Sequence, residues 1–352
     1  MRDLTTKKKK RTTLVLLIPA LLVLLLIISI MPPTTTFLLA ANATTTATND
    51  DDDDDVAAAV SDFNIAAVGD WGCTPNTEDI VDNIVDRDPE LVLGLGDYSY
   101  ENSADCWFDI VDPIIDKMII AIGDHEHDVP GEGENPGLLN EYMNRSGLEQ
   151  QYYTYRYGNA FVLVMSQEVP HSNDSKQFDF VVNSLSKASS DPDMDWIIVA
   201  SHNPFYNSPS SRPDFGALRN TYHELFEEHG VDLVLSGDIH NYERSVPIVF
   251  NGNESASPIP TSTNGETYVD PEGQIFATVG TGGHSIHEFD GKNPYIVTQF
   301  EGYGFLDIRI TTTTTNDGGE EKRLVGTFYD NDDGGEIQDQ FTVIKQAGGG
   351  AG

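Results

Sequence analysis

The chain has 352 residues, with 57 Asp and Glu against 20 Lys and Arg, and a formal net charge of −37. Its 39% hydrophobic content is enough to bury a globular core, so the chain as a whole is not disordered. Because a surface this acidic repels phosphate backbones, we exclude nucleic acid as a partner.

The N-terminus has the pattern of a membrane-targeting segment. Residues 1–13 are basic and are predicted to remain in the cytoplasm. Residues 14–31 form an uncharged apolar run that would span about 27 Å as a helix, close to the thickness of a hydrocarbon core. This length favours an uncleaved transmembrane anchor over a cleaved signal peptide, although residues 41–43 offer a small-residue cleavage site. The protein is then a single-pass cell-membrane protein facing outward, or is secreted if the segment is cleaved.

The rest of the chain divides by composition. Residues 32–60 are rich in Thr and include a run of six Asp at 50–55, so we predict a disordered stalk. Residues 61–346 are predicted to form the folded domain, and the Gly-rich residues 347–352 a flexible tail.

Two further features agree with a location outside the cytosol. Asn-x-Ser/Thr triplets, which accept glycans there, begin at Asn42, Asn144, Asn173 and Asn253. Cys73 and Cys106 are the only cysteines, and in an oxidising compartment such a pair forms a disulfide. The alternative is a pair of free, buried thiols.

Short apolar runs alternate with segments of helical period over the first two thirds of the folded domain. The predicted strands are 63–68, 91–95, 118–122, 161–164, 196–200 and 231–235. The predicted helices are 76–85, 108–117, 178–187 and 215–229. After Asn241 the predicted elements are strands, at 274–279, 305–310, 324–329 and 341–344. This pattern predicts an α/β fold in which two mixed β-sheets pack face to face and are flanked by helices.

Ionisable side chains follow five of the predicted strands, at the point where each strand ends. They lie in the segments Gly69-Asp70, Gly96-Asp97, Gly123-Asp124, Ser201-His202 and Gly237-Asp238-Ile239-His240. Ligands gather at the carboxyl ends of strands in α/β sheets, so we expect these side chains to share one pocket. Such a cluster is costly to bury unless a cation lies within it. Carboxylates with a few imidazoles suit Fe, Mn or Zn.

These residues resemble the calcineurin-like metallophosphoesterases, and among them the single-domain purple acid phosphatases. That family carries the ordered blocks DxG, GDxxY, GNH(D/E), VxxH and GHxH. The matching segments here are residues 70–72, 96–100, 123–126, 199–202 and 237–240. Gly72 stands where most of the superfamily has His, and Tyr100 occupies the position of a compensating tyrosinate, which indicates the purple acid type.

The resemblance implies a phosphatase with two metal ions, Fe(III) and a divalent ion such as Mn, Fe, Zn or Mg. It places four side chains on the ferric ion, those of Asp70, Asp97, Tyr100 and His240. With Asp97 as the bridge, it places on the divalent ion the side chains of Asp124, His202 and Asp238. It also makes His125 a donor to the phosphate or to the leaving oxygen. The implied reaction is attack of metal-bound hydroxide on a small phosphomonoester, although the same blocks also suit a phosphodiesterase.

Two positions depart from the family pattern, and both belong to the divalent site. Asp124 stands in place of Asn, and Asp238 in place of the first His of the last block. With these two residues the site has five anionic ligands, which would cancel all five positive charges of an Fe(III)–divalent pair. The family pattern has three anionic ligands and leaves two positive charges. We therefore expect weak phosphate binding and a harder divalent ion, such as Mn or Mg. The departures also leave open a degenerate surface scaffold that binds one metal or none.

Other polar and aromatic residues surround these blocks. Arg212 aligns with a substrate-facing His of plant members and would hold phosphate bidentately, unless it is an ordinary loop arginine. Three charged residues after the third block are predicted to solvate a loop, with an extension of the site as the alternative: Glu126, His127 and Asp128. Two aromatic residues are predicted to pack beside the cysteines: Trp71 and Trp107. Two imidazoles follow the Gly-rich turn and could approach the rim of the pocket, although they are not among the predicted site residues: His284 and His287.

Overall fold

The computed structural model describes residues 62–129, 133–210, 215–314, 319–331 and 335–346. The predicted anchor, stalk and tail, together with Asn42 and Arg212, lie outside these residues. Across the described ranges, no helix combines the length and the apolar character needed to cross a membrane.

The described strands form two seven-stranded mixed sheets. In spatial order, the first sheet contains β13 (Thr267–Val269), β18 (Ile337–Gln346), β17 (Glu320–Asp330), β16 (Gly304–Thr314), β1 (Asp62–Val68), β2 (Leu91–Gly94) and β3 (Met118–Ile120). The second contains β15 (Ile296–Phe300), β10 (Tyr242–Ser245), β14 (Ile275–Val279), β9 (Leu233–Ser236), β8 (Trp196–Ala200), β7 (Ala160–Val164) and β6 (Tyr153–Tyr157). Short strands pair as β4 (Asp128–Val129) with β5 (Gly133–Glu134), and β11 (Ile248–Val249) with β12 (Ile259–Pro260).

The described helices are α1 (Pro75–Arg87), α2 (Asp105–Val111), α3 (Asp124–His127), α4 (Pro136–Arg145), α5 (Lys176–Ser190) and α6 (Gly216–Glu228), with a 3-10 turn at Ile115–Lys117. Local chemistry fixes where several begin. Thr74 caps α1, where its hydroxyl accepts a hydrogen bond from the backbone N–H of Thr77, and Pro75 occupies the first helical position. Ser175 caps α5 in the same way.

Aromatic rings and a buried ion pair hold the two sheets face to face. Tyr242 of β10 stacks on Phe328 of β17, with ring centroids 4.0 Å apart. The buried guanidinium of Arg244 donates to both carboxylate oxygens of Asp339 on β18, and the Tyr242 hydroxyl donates to the same carboxylate at 2.7 Å. Because each buried polar group has a partner, this network stabilises one arrangement of the sheets.

The predicted fold class is confirmed, with two differences in the elements. The predicted helix 108–117 is interrupted: α2 ends at Val111, because Pro113 has no backbone N–H to continue the ladder. The helices α3 and α4 were not predicted, and neither were the sheet strands β6, β10, β13 and β15 or the short pairs β4–β5 and β11–β12.

Cys73 and Cys106 form a disulfide, so the alternative of two free thiols is wrong. The bond joins the loop that follows β1 to the first turn of α2. Trp71 and Trp107 are fully buried and meet edge to face, with centroids 6.2 Å apart. Their predicted packing role is confirmed.

Acid sensitivity of the fold is expected from His223 on α6. The side chain is fully buried, and burial lowers its pKa to about 4. The unfolded chain therefore takes up this proton near pH 6.5 while the folded chain does not, so stability is lost as the pH falls from about 6.5 to 4. This group alone should remove about 2 kcal/mol between pH 7 and pH 4.5.

A His223→Gln variant, which is neutral throughout this range, should be less stable at pH 7 but should lose less stability on acidification. Urea unfolding of both proteins at the two pH values measures the difference. Parallel losses in the two proteins would contradict the assignment to His223.

Candidate metal centre

The segments that follow β1, β2, β3, β8, β9 and β14 meet at one end of the sandwich. The first three strands are parallel neighbours in one sheet and the last three in the other. Backbone hydrogen bonds join the segments: Asp70 N–H donates to the Gly96 carbonyl at 3.0 Å, and Gly237 N–H to the His202 carbonyl at 2.8 Å. The predicted strand-end residues are thus brought together from both sheets.

Several of these residues have a left-handed backbone. The φ angles are 61°, 56°, 57° and 65° at Asp70, Asp97, Tyr100 and Asp238, respectively. A non-glycine residue adopts this conformation rarely, at a cost of order 1–3 kcal/mol. Elsewhere in the described residues, only Asp88 and Asp270 share it among non-glycines. Strain concentrated in this way is typical of a functional site.

Tyr100 lies at the centre of the first half of the cluster. Its hydroxyl oxygen is 3.1 Å from Asp70 Oδ1, 3.1 Å from Asp97 Oδ2 and 3.0 Å from His240 Nε2. His240 Nε2 is also 3.2 Å from Asp70 Oδ1. The four residues that the resemblance assigns to the ferric ion therefore face a common point.

His202 lies at the centre of the second half. Its Nε2 is 3.3 Å from Asp97 Oδ1, 3.3 Å from Asp124 Oδ1 and 4.0 Å from Asp238 Oδ1. Its Nδ1 is 2.8 Å from the Leu95 carbonyl oxygen, to which it donates, so Nε2 turns a lone pair toward the carboxylates. Nε2 and the buried Asp124 Oδ1 form no hydrogen bond within the described structure. A buried nitrogen and a buried carboxylate oxygen that face each other without a hydrogen bond are the arrangement expected of two ligands to one cation.

The electrostatics of the cluster point the same way. Burial lowers the pKa of His202, but Asp97 and Asp124 outweigh this and raise the pKa well above its ordinary value. Burial, together with Asp70 and Asp97, raises the pKa of Tyr100 well above 10. Because both pKa values are raised, His202 and Tyr100 keep their protons when no cation is present. Ionisation of Tyr100 to a phenolate therefore requires a positive charge beside it.

The possible ligand atoms form overlapping groups. Three sets of donors lie within 4.8 Å of one another: Asp70 with Asp97 and His202, Asp97 with Asp124 and His125, and Asp124 with His202 and Asp238. Asp97, Asp124 and His202 each belong to two of these sets, so the three groups are continuous with one another. The mixture of carboxylate, phenol and imidazole donors fits Fe, Mn or Zn.

His125 lies at the edge of the cluster. Its side chain is 20% exposed, and its Nε2 is 3.8 Å from Asp97 Oδ2. Its backbone N–H donates to Asp97 Oδ1 at 3.0 Å, which fixes α3 against the centre. An imidazole that is partly open to solvent and directly beside the buried carboxylates is able to reach a ligand bound there.

The prediction that Glu126 solvates a loop is wrong. Its side chain is 1% exposed, and its carboxylate accepts hydrogen bonds from the backbone N–H groups of Asp97, Tyr98 and Gly123 at 2.8–2.9 Å. Burial and the Asp97 charge raise its pKa to about 8. Glu126 thus joins the loops that follow β2 and β3.

Two glycines allow the carboxylates to approach the backbone closely. A Cβ atom at Gly123 would lie 2.3 Å from Asp97 Oδ1, and one at Gly237 would lie 2.6 Å from Asp70 Oδ2. Any side chain at either position would displace a carboxylate of the cluster.

The segment after β14 adds two rings that were not among the predicted site residues, although the sequence allowed them to approach the rim of the pocket. His284 stacks on Tyr100 with centroids 3.6 Å apart, and His287 stacks on His240 at 4.1 Å. The Gly-rich turn before them was the available signal, because such turns carry the chain close to a site.

Comparison with known proteins agrees with this geometry. Residues 63–242 match the sequence model of the calcineurin-like phosphoesterase family. Purple acid phosphatase 23 of Arabidopsis thaliana is 26% identical in an alignment 256 residues long, which covers 62% of this chain and 52% of that protein. The Fe(3+)-Zn(2+) purple acid phosphatase 12 of the same plant is 28% identical, over 63% of this chain and 51% of its own length. The chain thus spans about half the length of these relatives.

Solved structures show the same fold. A purple acid phosphatase from yellow lupin (Lupinus luteus) seeds matches with a TM-score of 0.67 and 21% identity, over 81% of this chain and 54% of the lupin chain. The anchor protein of the Plasmodium inner membrane complex matches with a TM-score of 0.57 and 17% identity, over 80% and 88% of the two chains. Together, the ordered blocks, the paired sheets and the family match show that this chain belongs to the calcineurin-like phosphoesterases and has the fold of a purple acid phosphatase.

Proposed function

We propose that this protein hydrolyses small phosphomonoesters with a pair of bound metal ions, Fe(III) and a divalent ion. The observation that carries the proposal is the convergence of carboxylates, imidazoles and one phenol on the two sides of Asp97. When bound, such a pair neutralises phosphate charge and lowers the pKa of a water molecule. The similarity to purple acid phosphatases supports the same reaction class.

The proposed division of ligands follows the two halves of the cluster. Asp70, Tyr100 and His240 would hold the ferric ion, and the divalent ion would lie between the ligands Asp124, His202 and Asp238. Asp97 would contact both ions, because its two oxygens face the two halves separately.

The chain's own groups would orient the ligands and the substrate. The Leu95 carbonyl fixes the tautomer and the ring plane of His202. Glu126 holds the backbone of Asp97 and Gly123 and thereby aims the Asp97 carboxylate. His125, at the open edge, would donate a hydrogen bond to a phosphoryl oxygen or to the leaving oxygen.

The divalent position is proposed to prefer Mn or Mg. Three carboxylates face His202 there, and this oxygen-rich set suits a harder ion than Zn. The same two departures, Asp124 and Asp238, favour a second candidate function: a surface scaffold that keeps the fold and binds one metal or none.

The proposed location of the domain is outside the cytosol, in a protein that is anchored through residues 14–31 or secreted. The Cys73–Cys106 disulfide supports an oxidising compartment. Three of the Asn-x-Ser/Thr triplets begin at exposed residues, as glycosylation requires: Asn144, Asn173 and Asn253.

Metal analysis combined with substrate assays tests these proposals. We expect the purified protein to hold about two metal ions per chain and to hydrolyse an aryl phosphate when supplied with Fe and Mn. One ion or fewer per chain, with no turnover under Fe combined with Mn, Zn or Mg, would support the scaffold instead. A strong preference for a bis-aryl diester would replace the proposed substrate class by phosphodiesters.

A further inference from the structure

We propose that His284 and Ser285 are positioning residues, which hold the rings of Tyr100 and His240 in the orientation that binds iron. The inference rests on the proposed function, because these two rings are the aromatic ligands proposed for the ferric ion. It concerns the segment 283–287, which the ordered motif blocks do not include.

The first contact is with Tyr100. The His284 ring lies almost parallel to the phenol ring, with centroids 3.6 Å apart and an interplanar angle of 10°. A second imidazole, that of His125, packs against the same phenol at 4.2 Å. The Tyr100 ring therefore cannot turn without displacing an imidazole, and its hydroxyl stays directed at Asp70 and Asp97.

The second contact is with His240. Ser285 Oγ lies 2.8 Å from His240 Nδ1, a distance at which Nδ1–H donates to the hydroxyl. This leaves Nε2, which faces Asp70 and Tyr100, as the coordinating nitrogen. His287 stacks on the His240 ring at 4.1 Å, and its backbone N–H donates to the His240 carbonyl at 2.8 Å.

The segment is itself fixed to the metal loops. The His284 backbone N–H donates to the Asp70 carbonyl at 3.1 Å, and the Thr74 hydroxyl donates to the Gly283 carbonyl at 2.8 Å. Ser285 Oγ also lies 3.1 Å from His284 Nδ1, so one hydroxyl contacts both imidazoles. The rings of Tyr100 and His240 thus each contact the segment 283–287, and that segment is hydrogen-bonded to the loop that follows β1.

Core packing does not account for His284. Its side chain is exposed, whereas the rings that build the core, such as Trp71, are fully buried. Truncating an exposed ring removes little apolar burial, so it should cost little stability. What it does remove is the stacking that orients Tyr100 and modifies the electron density the phenolate would share with iron.

The test uses the full chain loaded with iron and compares variants at the two residues. We expect His284→Ala to shift the tyrosinate–Fe(III) absorption band and the reduction potential, whereas His284→Phe, which keeps a stacked ring, stays near wild type. Ser285→Ala should weaken iron binding by about 10- to 100-fold, and Ser285→Thr should restore most of it. His229→Ala, at a half-buried histidine just beyond the end of α6, is the matched control and should leave the band, the potential and the iron affinity unchanged.

The outcomes separate this inference from the function on which it rests. Wild-type protein that binds no iron would overturn both. The positioning role alone would be overturned if the wild-type protein shows a normal band and the His284→Ala and Ser285→Ala variants have the same band, reduction potential and iron affinity. A thermal melt of each variant identifies any loss that is due to unfolding, and failure of Ser285→Thr to restore iron affinity would count against the hydroxyl contact.

Discussion

Replacing Asp97 with Asn should remove both metal ions and lower phosphatase turnover at least about a thousandfold, because the lost metal stabilisation is worth several kcal/mol. Asp97 is fully buried, with one oxygen 3.1 Å from the Tyr100 hydroxyl and the other 3.3 Å from His202 Nε2. Asparagine has nearly the same shape but no charge, and its amide N–H₂ cannot bind a cation. Metal content per chain and turnover of an aryl phosphate measure the two effects.

Asp307→Asn is the matched control for this change. Asp307 lies on β16, is also buried, and has its pKa raised to about 6 by burial. A raised carboxyl pKa means that the folded state resists ionisation, so stability declines as the pH rises from about 4 to 6. The neutral variant should therefore keep its metals and be no less stable at pH 7. An Asp97→Asn protein that retains two metals would contradict the bridging role.

Most of the site was predictable because its residues directly follow apolar strands. Asp70 comes two residues after β1 ends, His202 two after β8 and Asp238 two after β9. Since the carboxyl ends of neighbouring parallel strands share an edge, local sequence was enough to predict that these side chains meet. The departures at Asp124 and Asp238 were visible only through the resemblance, because the family's motif blocks supply the residues with which they are compared.

Contacts between distant segments could not be predicted in this way. Glu126 stands in a run of charged residues that resembles a solvated loop, and its burial depends on N–H groups of a loop formed by another strand. The stacking of His284 on Tyr100 likewise joins segments of different sheets. Strand β10 was missed because its charged residues, Glu243 and Arg244, do not alternate with apolar ones, and Arg244 is buried only because Asp339 pairs with it.

The helix α4 is a different kind of omission, because its signal was present in the sequence. Asn135 precedes Pro136, and the Asn135 side chain accepts a hydrogen bond from the Leu138 N–H as an N-cap. Asparagine followed by proline is a typical helix start, with proline at the first helical position. The capping signal alone predicts the start of this helix, although not its packing against α3.

The double variant Asp124→Asn, Asp238→His should bind phosphate at least about tenfold more tightly than wild type and should accept Zn more readily in the divalent site. It removes two negative charges whose oxygens lie 3.3 Å and 4.0 Å from His202 Nε2. At an effective dielectric near 20, one charge about 5 Å from the phosphate contributes roughly 3 kcal/mol, so tenfold is a modest expectation. Histidine tolerates the left-handed backbone at residue 238 better than most residues do.

Competitive inhibition by inorganic phosphate, measured beside metal content, tests this account of the two aspartates. The single variants should each give part of the gain. The control is Asp270→His, at an aspartate outside the site that also has a left-handed backbone. It measures how far a histidine in this conformation alone changes phosphate binding and metal content. If the double variant holds two metals and yet binds phosphate no more tightly, then the negative charge of Asp124 and Asp238 does not limit phosphate binding, and the expectation of a weakened site is wrong.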